Sequence, residues 1–510
     1  MPDERKAVSP RRRVLCWIGT ETVLLVSAFL AAISLYKAEV FETTQFYELL
    51  FYAQNGLDSM RAEGLTDAVT AIAGKTGLAF ALVNIPIVAV LAWRKLRRTF
   101  GKSRRPGLIR WGYTWAIFVV AAGVGLQTFG VPSYLWSLWD TGTVYEDSYV
   151  DPATAHITAP AKPRNLIFIY LESMENTLAS RAAGGQSDES LIPELEALAL
   201  DPANVSFSHT ATGLGGPRQV DGTSWSLAGM VATTGGIPLK PSVGNDGRSL
   251  PMFLPGAHML GDVLRANGYD QSIVMGSYPA FGGVDKLVGL HGAYTMLDPG
   301  AMKAAGRIPA DYRVWWGYED RKLFGYAQDE ARRLAAGSAP FQLQIITEDT
   351  HWPDGYSDPQ CRRTHPRQYD DVYACSSAQV GAFVSWVRQQ PWADNTTIVL
   401  VGDHIGHQTR YYTDKVTSRD FVRTPYNVII NPAVRPERSH GRTFTSMDFY
   451  PTILTAMGFT VPGHRLGLGT DLNSSVQTLP ESMGFREFDK ELAKRSAFYD
   501  HDLMDGPAPR

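Results

Sequence analysis

Three long apolar runs crowd the first quarter of the chain: 14–36, 78–93 with an extension back through 68–73, and 109–129. Each can supply about 20 residues, the length a helix needs to cross a hydrocarbon core. The pattern predicts three transmembrane helices. From Arg164 onward it changes to short apolar runs separated by helical stretches. Residues Asn165–Leu171, 341–347, Thr396–Gly402 and 426–430 read as buried strands, with helices such as 319–336 and 378–390 between them. Such alternation marks an α/β fold with a mainly parallel central sheet.

The chain therefore divides into a membrane domain (1–131), a linker (132–163), an α/β domain (164–475) and a tail (476–510) in which 481–498 reads as helical. A cleaved leader would explain the first run alone, but no small-residue cleavage site follows it. Arg11, Arg12 and Arg13 precede the first span, and the loop after the second carries Arg94, Lys95, Arg97, Arg98, Lys102, Arg104 and Arg105. The intervening loop, 37–77, is acid-rich, with Glu39, Glu42, Glu48, Asp58, Glu63 and Asp67. The positive-inside rule places the N-terminus and the 94–107 loop in the cytoplasm and everything after the third span outside. Glu21, inside the first span, reads either as a functional carboxylate facing the bundle or as a group neutralised by a partner. The aromatic stretch 46–52 reads as an amphipathic element on the outer membrane surface. Pro132, Pro152, Pro160 and Pro163 mark the linker, where Trp136, Trp139 and Tyr145 suit the headgroup level.

At 510 residues the chain exceeds one ordinary core. A net charge of −3 leaves no general nucleic-acid footprint. Nothing specifies an oligomeric state. Of three cysteines, Cys16 lies in an apolar run, while Cys361 and Cys375 share a polar segment with no zinc-knuckle or CxxC spacing. Outside the cytoplasm the latter two suit a disulfide worth about 3 kcal/mol in the chain-entropy model. Two free thiols are the alternative.

Chemistry gathers at the strand ends. Glu172 follows the first strand, His351 the second, and Asp403 and His404 the third, and open α/β sheets bind ligands outside the carboxyl ends of their strands. A carboxylate beside an imidazole suits a borderline divalent metal such as zinc or manganese. Asp221, Gly222, Thr223, Ser224, Trp225 and Ser226 lead directly into the helix-forming run 227–232. A hydroxyl there lies in the positive field of a helix start. Thr223 with Glu172, Asp403 and His404 thus reads as a site for a metal-activated hydroxyl, with His351 protonating a leaving oxygen or binding phosphate. Arg218 and Arg410 are candidate phosphate contacts, because guanidinium pairs well with phosphate oxygens; surface arginines without a role are the alternative.

Several of these segments resemble the bacterial phosphoglycerol transferases that decorate periplasmic glucans. They are the Asn165–Leu171 strand with Glu172 and Ser173, the segments 222–225 and 228–230, and 235–239. The run 349–355, the Cys361/Cys375 pair, and Gly402, Asp403 and His404 match too, as do 448–454 and 467–472. That family belongs to the sulfatase and alkaline phosphatase superfamily, with the lipoteichoic acid synthases and phosphoethanolamine transferases. The resemblance implies that Glu172, Thr223, Asp403 and His404 bind one divalent cation, manganese first, with magnesium or zinc as alternatives. It implies that Thr223 is the nucleophile, that His351 lines the headgroup pocket, and that phosphatidylglycerol and a glucan are donor and acceptor at the outer face of a bacterial inner membrane. Residues 275–284 lack the histidine, tryptophan and arginine of the lipoteichoic acid synthase pocket, which favours the glucan branch. A phosphoethanolamine transferase and a headgroup phosphodiesterase are the rival enzymes, and an inactive membrane-anchored binding module is the rival from another class. A sulfatase proper would need a Cys or Ser in a C/S-x-P-x-R pattern, absent around Thr223.

Overall fold

The computed structural model describes residues 9–41, 44, 46–55, 64–96, 106–241, 253–280 and 283–506. Four helices open the chain: α1 (Pro10–Val40), α2 (Phe46–Asn55), α3 (Gly64–Leu96) and α4 (Pro106–Thr128). Two compact units form, one from 1–42 and 63–135, the other from 43–62 and 136–510.

Within the first unit, Pro10–Val40, Ala68–Trp93 and Ile109–Thr128 are each long and apolar enough to cross a membrane. α1 packs on both α3 and α4. The α1 residues it buries are mostly small: Thr20, Ser27, Ala28, Ala32 and Ser34, with Leu24 among them. In lipid, where no hydrophobic force drives helices together, small residues permit the close approach that van der Waals attraction requires. Glu21 forms an ion pair with Arg110 of α4, so its charge is matched within the bundle. Residues 97–105 of the basic loop lie outside the described residues.

In the second unit six strands form one sheet: β1 (Asn165–Leu171), β2 (Asp270–Met275), β3 (Thr295–Leu297), β4 (Phe341–Ile346), β5 (Thr396–Gly402) and β6 (Asn427–Ile430). Their order is β3-β2-β4-β1-β5-β6, parallel except for β6. All seven residues of β1 are buried. Leu166, Phe168 and Tyr170 enter one hydrophobic layer, and Ile167, Ile169 and Leu171 the other. A central parallel strand covered on both faces needs that continuous apolar run. β2 and β3 escaped the sequence pattern. Asp270, Gln271 and Ser272 open β2 with polar side chains; Asp270 is exposed, Ser272 donates to Glu330 at 2.6 Å, and the Gln271 amide donates to the Gly261 and Gly292 carbonyls.

From residue 136 on, the segment expected as a linker (132–163) is woven into this unit. Val150 and Gly467 exchange both backbone hydrogen bonds, as do Thr158 and Thr460. Tyr145 is buried, its hydroxyl donating to the Leu492 carbonyl, so it does not sit at a headgroup level. Trp136 and Trp139 are 72% and 76% exposed. α2 also belongs to this unit, with Tyr47 packed against its core. Cys361 and Cys375 form a disulfide with Cα atoms 5.7 Å apart, fastening the loop after β4 to the helix Gln368–Arg388.

The tail is part of the fold. Phe488, Leu492, Tyr499, Leu503 and Met504 lie in the same core as Leu227 and Val231, and the Tyr499 hydroxyl donates to the Pro238 carbonyl. Truncating the fully buried Phe488 to alanine is expected to cost about 3 kcal/mol or more. Denaturant unfolding of the second unit checks this; an unchanged midpoint would make the tail an accessory.

Candidate active site

β1 and β5 pair with Leu171 opposite Gly402, so the next residues, Glu172 and Asp403, emerge side by side. His404 Nε2 lies 3.6 Å from Glu172 Oε1 and 3.4 Å from Asp403 Oδ2, and one ligand atom from each of the three falls within 4.8 Å of the others. All three are buried. The backbone holds them. Asp403 Oδ1 accepts from the Ser173 and His404 amides at 2.9 and 2.8 Å. His404 Nδ1 lies 2.9 Å from the Ile405 carbonyl oxygen; a carbonyl only accepts, so Nδ1 carries the proton and Nε2 turns a lone pair toward the carboxylates.

Burial, and after it the Glu172 charge, push the Asp403 carboxyl well above its ordinary range. Burial pulls His404 down, but Asp403 and Glu172 override it and leave the imidazole raised. Asp403 Oδ2 is buried with no hydrogen-bond partner. Two adjacent carboxylates, an unpartnered oxygen and an imidazole lone pair form a donor set that a divalent cation fits, since it supplies the positive charge this pocket lacks.

Two hydroxyls reach this cluster: that of Ser173, which donates to Glu172 Oε1 at 2.7 Å, and that of Ser226. Ser226 Oγ donates to Glu172 Oε2 at 3.1 Å and lies 3.4 Å from His404 Nε2. Thr223, the expected hydroxyl, is turned away: Oγ1 donates to the Val220 carbonyl at 2.8 Å and accepts from the Val220 amide at 3.1 Å. The cause is local. Gly222 adopts φ +76° and Trp225 caps the helix Ser226–Gly235 in extended backbone, so the first helical residue is Ser226. One turn on, a Cβ on Gly229 would lie 2.3 Å from the Asp403 carbonyl oxygen. Glycine there lets the helix rest against the end of β5, which carries Ser226 to His404. The signal was present in sequence, because with a helix over 227–232 the hydroxyl directly before it is that of Ser226.

His351 follows the β4 turn, where the Thr350 hydroxyl donates to the Glu172 carbonyl at 2.6 Å. Its Nδ1 donates to the Trp352 carbonyl at 2.8 Å, and the Trp316 ring packs edge-on at 4.6 Å. Burial lowers its pKa to about 4. The ring is neutral at pH 7, with Nε2 as an acceptor, so it takes a proton more readily than it gives one. Arg218 stacks its guanidinium 3.6 Å from the Phe485 ring of the tail, and Arg410 is exposed. Neither is joined to the cluster by a hydrogen bond or ion pair among the described residues. A further histidine that the motif reading passed over, His407, sets its ring 4.6 Å from that of His404.

The sulfatase family model matches residues 164–459. The chain belongs to the sulfatase family. Among curated sequences, this sulfatase-family chain is similar to phosphoglycerol transferase I of Escherichia coli, at 34% identity over 255 residues, covering 49% of this chain and 32% of that one. Its similarity to phosphoglycerol transferase I of Salmonella choleraesuis is 29% over 373 residues, covering 70% and 46%. The chain thus spans a third to a half of the length of these relatives. In fold it is similar to a Vibrio parahaemolyticus protein of the alkaline phosphatase superfamily, with TM-score 0.50 and 20% identity over 65% of this chain and 76% of that one. The integral membrane lipooligosaccharide phosphoethanolamine transferase A of Neisseria meningitidis gives TM-score 0.50 and 14% identity over 90% and 86%.

A divalent cation is expected to raise the melting temperature of this sulfatase-family chain, and more at about pH 8 than at about pH 5.5. Without the cation, the raised folded-state pKa of Asp403 means that its contribution is intact below about pH 4 and lost as pH rises through its folded value. Bound cation replaces the proton and reverses that trend. Thermal melts with and without chelator at both pH values check it; equal shifts would remove Asp403 from the ligand set.

Proposed function

We propose that this chain transfers the phosphoglycerol headgroup of phosphatidylglycerol to a periplasmic glucan through a covalent intermediate on Ser226. The observation that carries this reading is the Ser226 hydroxyl, bonded to Glu172 beside His404 at the start of a ten-residue helix. The similarity to phosphoglycerol transferase I supports the headgroup and the transfer. The basic residues flanking the apolar runs support a cytoplasmic N-terminus, three spans and a catalytic domain on the outer face of a bacterial inner membrane, where lipid headgroup and glucan meet.

Glu172, Asp403, His404 and Ser226 would hold one divalent cation, whose charge, when bound, favours the ionised serine and the developing charge on phosphate. Ser226 Oγ then attacks phosphorus, the bond from phosphorus to the diacylglycerol oxygen breaks, and that oxygen leaves with a proton as diacylglycerol. The positive end of the dipole of the helix that Ser226 opens would favour the charge on the phosphoryl oxygens. In the second half a sugar hydroxyl attacks phosphorus and the Ser226 Oγ–phosphorus bond breaks. His351 Nε2, neutral at pH 7, accepts the sugar proton, which returns to Ser226. Arg218 and Arg410 have no part in this scheme, and Thr223 shapes the turn before the helix rather than reacting.

Intact mass after incubation with phosphatidylglycerol and manganese, without acceptor, tests the reading. A glycerophosphate-sized gain mapping to Ser226 is expected. Ser226→Ala is expected to lose the adduct and at least about 1000-fold in turnover, whereas Thr223→Val keeps the adduct. An adduct mapping to Thr223 would overturn the assignment, and a gain with phosphatidylethanolamine alone would move the donor to the other lipid.

A further inference from the structure

The catalytic cluster has a neighbour from an unexpected part of the chain. Glu48 lies on α2, between the first and second apolar spans in sequence, yet α2 belongs to the same compact unit as the site. The Glu48 side chain is buried. Its Oε2 accepts from the Ser224 hydroxyl at 3.0 Å, two residues before Ser226. Its Oε1 lies 3.5 Å from His407 Nε2. On the other side of that ring, Thr44 Oγ1 lies 3.3 Å from Nδ1. Thr44, which precedes α2, and Glu48, within it, thus bracket both nitrogens of His407, whose ring packs on His404.

We propose that Glu48 is a positioning residue of the catalytic site, acting through Ser224 on the start of the Ser226 helix and through His407 on His404. The chemistry of the contacts fixes the roles. A carboxylate only accepts, so the Nε2 proton of His407 faces Glu48 and Nδ1 accepts from the Thr44 hydroxyl. The ring is then held in one tautomer and orientation against His404, as a group behind a ligand must be to orient it. Engaging Ser224 in the same way keeps that hydroxyl out of competition with Ser226 for Glu172. The residues that complete the site therefore come from the part of the sequence that also supplies the membrane helices.

The inference rests on Ser226 as the reacting hydroxyl, and its test separates the two. In the full chain, metal-loaded and in detergent, Glu48→Ala is expected to lower kcat for phosphatidylglycerol about tenfold or more while KM stays within about twofold. Glu48→Gln, which keeps an acceptor oxygen, recovers part of the loss. Combining Glu48→Ala with His407→Ala adds little beyond the larger single effect, because the two act as one unit. Hydrogen exchange over 403–412, measured on the same metal-loaded chain without lipid, is expected to speed up in Glu48→Ala. Wild-type kcat in Glu48→Ala, additive effects in the double variant, or unchanged exchange would each overturn the proposal. A wrong donor would show instead as absence of adduct in the wild type, and a wrong nucleophile as an adduct mapping to another residue, leaving the exchange result to decide the role of Glu48.

Discussion

Like charge forced together in a buried place is the constraint on which this site depends. Parallel pairing of β1 and β5 in one register makes Glu172 and Asp403 neighbours, and the two hydrophobic layers of the sheet keep water from separating their charges. A one-residue slip would turn one carboxylate to the opposite face of the sheet. The apolar run of β1 thus sets the electrostatics of the residue that follows it. What the strand buries fixes where the charge emerges, and the unpartnered oxygen of Asp403 is the unbalanced remainder that a cation would neutralise.

The place of the Ser226 hydroxyl depends on the same edge. The helix Ser226–Gly235 reaches the β5 end because Gly229 removes the one atom that would hold it away. Its first residue then shares the Glu172 carboxylate with the cluster. Helix dipole, close backbone contact and hydroxyl placement are one geometric event. The tail enters the same core as this helix through Phe488, Leu492 and Tyr499. A segment outside the matched family region, 164–459, thereby supports the residue at its centre.

Site and membrane sequence are interleaved rather than joined end to end. α2 is drawn into the catalytic unit by Tyr47 in the core and Glu48 at the site. The segment 136–163 is drawn in by the exchanges of Val150 with Gly467 and Thr158 with Thr460. Neither is a passive connector. The proposed headgroup transfer would give such an arrangement a physical reason, because reactant and catalytic groups must be brought into register at a fixed place.

Local pattern was enough to read the three apolar helices, the strands β1, β4, β5 and β6, and the residues Glu172, Asp403 and His404. Each is a statement about neighbouring positions: unbroken apolar runs demand burial or lipid, and the polar residue ending such a run must emerge at the sheet edge. β2 was not legible, because Gln271 and Ser272 become tolerable inside a sheet only through Gly261, Gly292 and Glu330. Sequence alone does not separate the hydroxyls of Thr223, Ser224 and Ser226. Only packing decides which of them turns back on Val220, which is held by Glu48, and which meets the carboxylates. The partner of Glu21 and the place of Glu48 lie at separations of 89 and 176 residues. No local pattern encodes such pairs. They exist because folding removes water from charges that must then find each other.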